Sequence, residues 1–111
     1  MSQMENLSGL EPRGTAVLVR PYEPEKKAGL IAIPDSVKTR VAMLEQRATV
    51  VAIGPSSWQD EPEPRAQVGD RVLVSAYAGT MAVGPGDGVQ YRLINARDIF
   101  CRITHEGNEN G

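Results

Sequence analysis

Apolar positions in this chain come in short, β-branched runs separated by turn residues, not at helical spacing. Thr15 to Arg20 reads Thr-Ala-Val-Leu-Val-Arg and is closed by Pro21, which predicts a strand with a defined stop. Ala48 to Gly54 is a second such run, ended by its glycine. Val68-Gly69-Asp70 forms a turn that launches a third strand, Arg71 to Ala76. Tyr77-Ala78-Gly79-Thr80 leads into a short strand at Met81–Val83, followed by the turn Gly84-Pro85-Gly86-Asp87-Gly88. Val89 to Ile94 alternates apolar and polar residues, as a half-exposed strand should. Asp98 to Ile103 is the last strand. Short strands with tight turns predict an all-β fold, a small and partly open β-barrel spanning residues 10–103.

The segments between strands are also informative. Residues 1–9 and 104–111 are polar and are expected to fray. Pro21 to Lys27 is charged and broken by proline, so the chain should leave the barrel there, opening a long connection over about residues 22–47. Within it lies an apolar patch, Leu30-Ile31-Ala32-Ile33, bounded by Lys27 on one side and Pro34 on the other. Proline removes a donor and stops strand growth, so the patch is cut off from its neighbours; read without that boundary, the same residues also suit a buried strand. Beyond it, Ser36 suits a helix cap, and Val37, Val41 and Leu44 follow i, i+4, i+7 spacing. A helix this short is marginal alone, so the stretch is either a contact that forms on docking or simply added loop length. Residues 55–67 make a Pro-, Ser- and acid-rich loop whose one large apolar group is Trp58.

Composition narrows the function classes. With 111 residues, one domain is expected, and its core is adequate but not generous. Aromatic residues are 5% of the chain and the net charge is −2, which argues against stacking platforms or a phosphate-binding surface for nucleic acid. One cysteine, Cys101, allows no internal disulfide, and alternation in its strand suggests a small buried hydrophobe. One histidine, His105, lies in the polar tail, so neither a zinc site nor a Cys–His nucleophilic pair is expected within one chain. Asp60, Glu61 and Glu63 sit between prolines and read as a solvated loop rather than a catalytic cleft. The glycine-rich turn at 84–88 lacks the Gly-Lys-Ser/Thr of a phosphate cradle. No apolar run approaches membrane-spanning length, and the N-terminus has no signal-peptide pattern, so a cytoplasmic, non-enzymatic protein is expected.

Taken in order, these segments resemble the GroES or chaperonin-10 co-chaperonin family from about Leu10 to Ile103. The likeness rests on Ala16–Pro21, on Lys27–Ile33, on Thr49–Gly54, on Val68–Leu73 with Tyr77–Thr80 after it, and on Asp98-Ile99. Each piece alone is weak; the ordered set is specific. Thr15-Ala16 stands where the family usually has Asp-Arg, the loop is a few residues longer, and residues 55–67 lack the family's strand–turn–strand roof, which suits a divergent or phage-encoded member.

The resemblance implies a GroES-like barrel with a long mobile loop and a reduced roof loop. It implies a ring subunit, one of seven with first and last strands pairing between neighbours, that caps a GroEL-type chaperonin and encloses folding clients. Leu30, Ile31, Ala32 and Ile33 would grip the chaperonin's apical domains, with Val37, Val41 and Leu44 as a second contact and Tyr77 lining the dome. No cofactor is implied, ATP acting on the partner. Two other readings remain: a ring-forming structural β-barrel, and the GroES-like barrel of alcohol dehydrogenases without its catalytic equipment.

Overall fold

A computed structural model describes residues 6–22 and 43–106. Among these residues six strands form one antiparallel sheet: β1 (Ala16–Pro21), β2 (Arg47–Ile53), β3 (Arg71–Val74), β4 (Thr80–Val83), β5 (Gln90–Asn95) and β6 (Ile99–Arg102). A short 3-10 helix, Ala96–Asp98, joins the last two. The strand order is β4-β5-β1-β2-β3-β6, so the sheet curls without closing and leaves β4 and β6 at its edges. All six expected strands are present, with ends shifted by a residue or two.

β1 lies in the middle, paired to β5 on one side and β2 on the other. Its run Val17-Leu18-Val19 is buried completely because both faces of the sheet are covered. Val17 and Val19 point into the main core with Val50, Val72, Val74, Ile94 and Ile99. Leu18 points the other way, into a smaller cluster with Val51 and Tyr91 that Leu10 helps to cover. Register slips between Leu18 and Val19 against β2, and between Leu73 and Val74 against β6, mark the bulges that bend such a sheet.

Part of each end expected to fray is tied down. Ser8 is fully buried, its carbonyl accepts from the Gly86 amide at 2.7 Å, and its hydroxyl donates to Asn6. At the other end, Glu106 pairs with Arg71 at 3.0 Å. The glycine turn forms as expected, closed by the Gly88 amide on the Gly84 carbonyl.

The loop at 55–67 contains no strand, but it is not simply solvated. Trp58 folds back into the core, with only 6% of its surface exposed, and its indole N–H donates to the Ala96 carbonyl at 2.9 Å. It does so with φ of +59°, a left-handed conformation that costs about 1–2 kcal/mol and is offset by burying the indole. Glu61, expected in solvent, binds the Arg65 guanidinium, which also donates to the carbonyls of Arg97 and Ile99. Cys101 is likewise corrected: it is exposed, because β6 is an edge strand and only its Ile99 reaches the core.

Candidate functional site

Leu30, Ile31, Ala32, Ile33, Val37 and Val41 lie outside the described residues. The structure does define where the segment 23–42 leaves the sheet and where it returns. The exit foot is Pro21-Tyr22 at the end of β1, and the return foot is Met43–Gln46 ahead of β2. The two stand side by side: Pro21 is paired with Ala48, and the Tyr22 amide donates to the Arg47 carbonyl at 3.0 Å.

Side chains reinforce that junction. The Arg47 guanidinium sits 3.9 Å from the centre of the Tyr22 ring, with Arg71 beyond it at 5.8 Å. Such cation–π stacking contributes about 0.5–1 kcal/mol at exposed positions. Glu45 accepts two hydrogen bonds from the same guanidinium, at 2.8 and 3.0 Å, and one from the Arg47 amide. The Arg47 side chain holds the Glu45 carboxyl below the usual glutamate range, with burial opposing it.

The return foot is fixed from the other side by β3 and the turn after it. Gln46 is doubly tied to Val74: its carbonyl accepts from the Val74 amide, and its side chain donates to the Val74 carbonyl. The Met43 carbonyl accepts from the Tyr77 amide at 2.7 Å. Met43 and Leu44 have helical backbone, and Leu44 is about half exposed. Of the second-contact candidates, Leu44 is thus described and accessible.

Tyr77 stands on the turn between β3 and β4 with φ of +63°, the residue 53% exposed. The turn is closed by the Ala78 amide on the Ser75 carbonyl. Its geometry depends on Gly79, at φ +72°, where any Cβ would overlap the Leu93 carbonyl.

One residue escaped the sequence reading. Alternation along Val89–Ile94 makes Arg92 an outward polar residue, yet it is fully buried. By the same period it shares a face with Ile94, which belongs to the main core. Its guanidinium donates to four carbonyls: Ala78 and Glu45 at 2.8 Å, Met43 and Ser75 at 3.1 Å. Burial lowers its pKa, against the favourable charges of Asp98 and Glu45. No signal in the sequence marks those carbonyls as its partners.

The edge strands carry two further exposed apolar groups. Phe100 on β6 is 62% exposed and Val83 on β4 likewise 62%.

Comparison with known proteins gives one consistent answer. A family model described as chaperonin 10 kDa subunit matches residues 9–103. The co-chaperonin GroES of Coprothermobacter proteolyticus is 36% identical over 101 residues, covering 87% of this chain and 97% of that protein. That of Pseudothermotoga lettingae is 39% identical over 93 residues, covering 83% and 93%. That of Nocardia farcinica is 35% identical over 99 residues, covering 85% and 93%.

Proposed function

The chain belongs to the chaperonin 10 kDa subunit family, and from that premise we propose that it caps a GroEL-type chaperonin as one subunit of a ring. It is a co-chaperonin that assists chaperonin-mediated folding. The finer reading assigns the grip to Leu30-Ile31-Ala32-Ile33, with Leu44, Val37 and Val41 beside it, and places Tyr77 on the inner wall of the dome. ATP acts on the chaperonin, and the cap itself carries no chemistry.

The observation that carries this reading is the pair of adjacent feet. All six strands of the sheet lie outside residues 23–42, and the flanks of that segment are bonded side by side at Tyr22 and Arg47. An apolar patch inserted there is available to a partner without any strand of the sheet being disturbed.

Energetics then favour multiplicity. Burying one Leu or Ile side chain is worth about 1.5–3 kcal/mol, while ordering each backbone residue costs about 1–2 kcal/mol. One copy binds weakly, and several copies on one ring bind well through effective concentration. The free edges of β4 and β6, and the exposed Phe100 on the latter, supply apolar surface for neighbouring subunits. A seven-membered ring in the cytoplasm, enclosing folding clients, is the assembly we propose.

The test is to mix the protein with a GroEL-type chaperonin, with and without ATP, and to measure co-sedimentation and inhibition of ATP hydrolysis. Nucleotide-dependent capture with slowed hydrolysis is expected. The double variant Ile31→Asp, Ile33→Asp should keep its assembly and lose capture. Collapse of the assembly would instead identify the patch as a buried strand.

A further inference from the structure

Arg92 is an unusual way to fill a core. A buried cation is costly unless every donor is satisfied, and among the described residues no carboxylate is paired with it. The sheet does not require it, since β5 is already bonded to β1 on one side and β4 on the other. A leucine would fill the space but would leave four carbonyls without these donors. The purpose of the guanidinium therefore lies in which carbonyls it gathers.

Among the described residues they come from two places. Met43 and Glu45 belong to the return foot of segment 23–42, and Ser75 and Ala78 bracket the turn that carries Tyr77. The Tyr77 amide bonds to the same Met43 carbonyl, so foot and turn share an acceptor. A planar guanidinium with a rigid fork of donors fixes the relative position of two segments in a way that a single-point ammonium does not.

We propose that Arg92 is a positioning residue for chaperonin binding, locking the return foot of the partner-binding segment against the Tyr77 turn. This rests on the co-chaperonin reading. A foot already held in place adds no ordering cost when the segment docks. The same clamp carries a displacement of the foot to Tyr77, so the dome wall and the grip move together.

The experiment compares full-length wild type, Arg92→Met, Arg92→Lys and a core control, Val72→Ala. Chaperonin affinity is read from inhibition of ATP hydrolysis, the assembly from sedimentation, and the clamp from hydrogen exchange at the Tyr77 amide. Arg92→Met should bind about tenfold more weakly, its freed foot having to be ordered on docking. Its Tyr77 amide should exchange faster than that of Val72→Ala, which loses thermal stability without losing affinity. Arg92→Lys, with one ammonium in place of the fork, should fall between. Equal affinity for Arg92→Met and Val72→Ala, or an unchanged Tyr77 amide, overturns the proposal. Should Arg92→Met fail to fold, Arg92→Lys decides: wild-type affinity with unchanged exchange overturns it. Failure of the wild type itself to bind overturns the co-chaperonin reading instead.

Discussion

The indole N–H of Trp58 donates to the carbonyl of Ala96 at 2.9 Å, pinning the loop after β2 to the helical turn before β6. Both residues are buried, so neither end of this bond has water as a ready substitute. Trp58→Phe keeps most of the apolar area but strands the Ala96 carbonyl, and should cost about 1–3 kcal/mol. Trp58→Ala adds a cavity and should cost about 3–5 kcal/mol. Urea unfolding followed by circular dichroism gives both values. As Trp58 is the one tryptophan of the chain, its fluorescence should shift to the red when the loop detaches.

Two glycines with positive φ should respond very differently to alanine. Gly69, at φ +95°, has open space around it, so Gly69→Ala should cost about 1 kcal/mol, the conformational penalty alone. Gly79→Ala adds a collision with the Leu93 carbonyl across the sheet and should cost more than about 4 kcal/mol or prevent folding. Melting temperatures of the two variants settle the contrast.

Acidification should loosen the foot of segment 23–42. The Glu45 carboxyl is held below its ordinary pKa of 4.5, chiefly by the Arg47 side chain. A depressed carboxyl contributes stability that is present above its unfolded pKa and lost as pH falls through the folded one. Wild type should therefore lose stability below the ordinary glutamate range, and Glu45→Gln should show a shallower acid limb. Because Arg47 is nearly half exposed, the difference at neutral pH should be under about 1 kcal/mol. Asp87, lowered by its bond from the Tyr91 hydroxyl, titrates in both proteins and cancels in the comparison.

Phe100→Asp should separate assembly from folding. The side chain is 62% exposed on an edge strand, so the subunit's own stability should change by no more than about 0.5 kcal/mol. The proposed ring, in contrast, should dissociate at concentrations where wild type remains assembled. Analytical ultracentrifugation alongside circular dichroism reads both.

The strands were legible because each is a β-branched run ended by glycine, proline or an acidic turn, and those signals are local. Arg92 was not, because Gln90-Tyr91-Arg92-Leu93-Ile94 is what a half-exposed strand looks like. Its partners lie 14 to 49 residues away and are backbone atoms, which leave no mark in composition. Cys101 misled for a different reason. Alternation assigns a side chain to one face, but at an edge strand that face has nothing covering it. Trp58 announced itself as a large apolar group in a polar loop, although not where it would pack. Of the segment proposed to bind the partner, the sequence supplies the apolar patch and the structure supplies its two attachment points.

Those attachment points make the junction at Tyr22 and Arg47 an insertion port. With the ends fixed by a ladder bond and a stacked guanidinium, the length between them is nearly free of consequence for the barrel. Doubling such a connection adds only about 0.6 kcal/mol of closure entropy. On the function proposed above, reach and partner choice can thus be re-cut in this one segment, by natural variation or by grafting, while the scaffold stays the same.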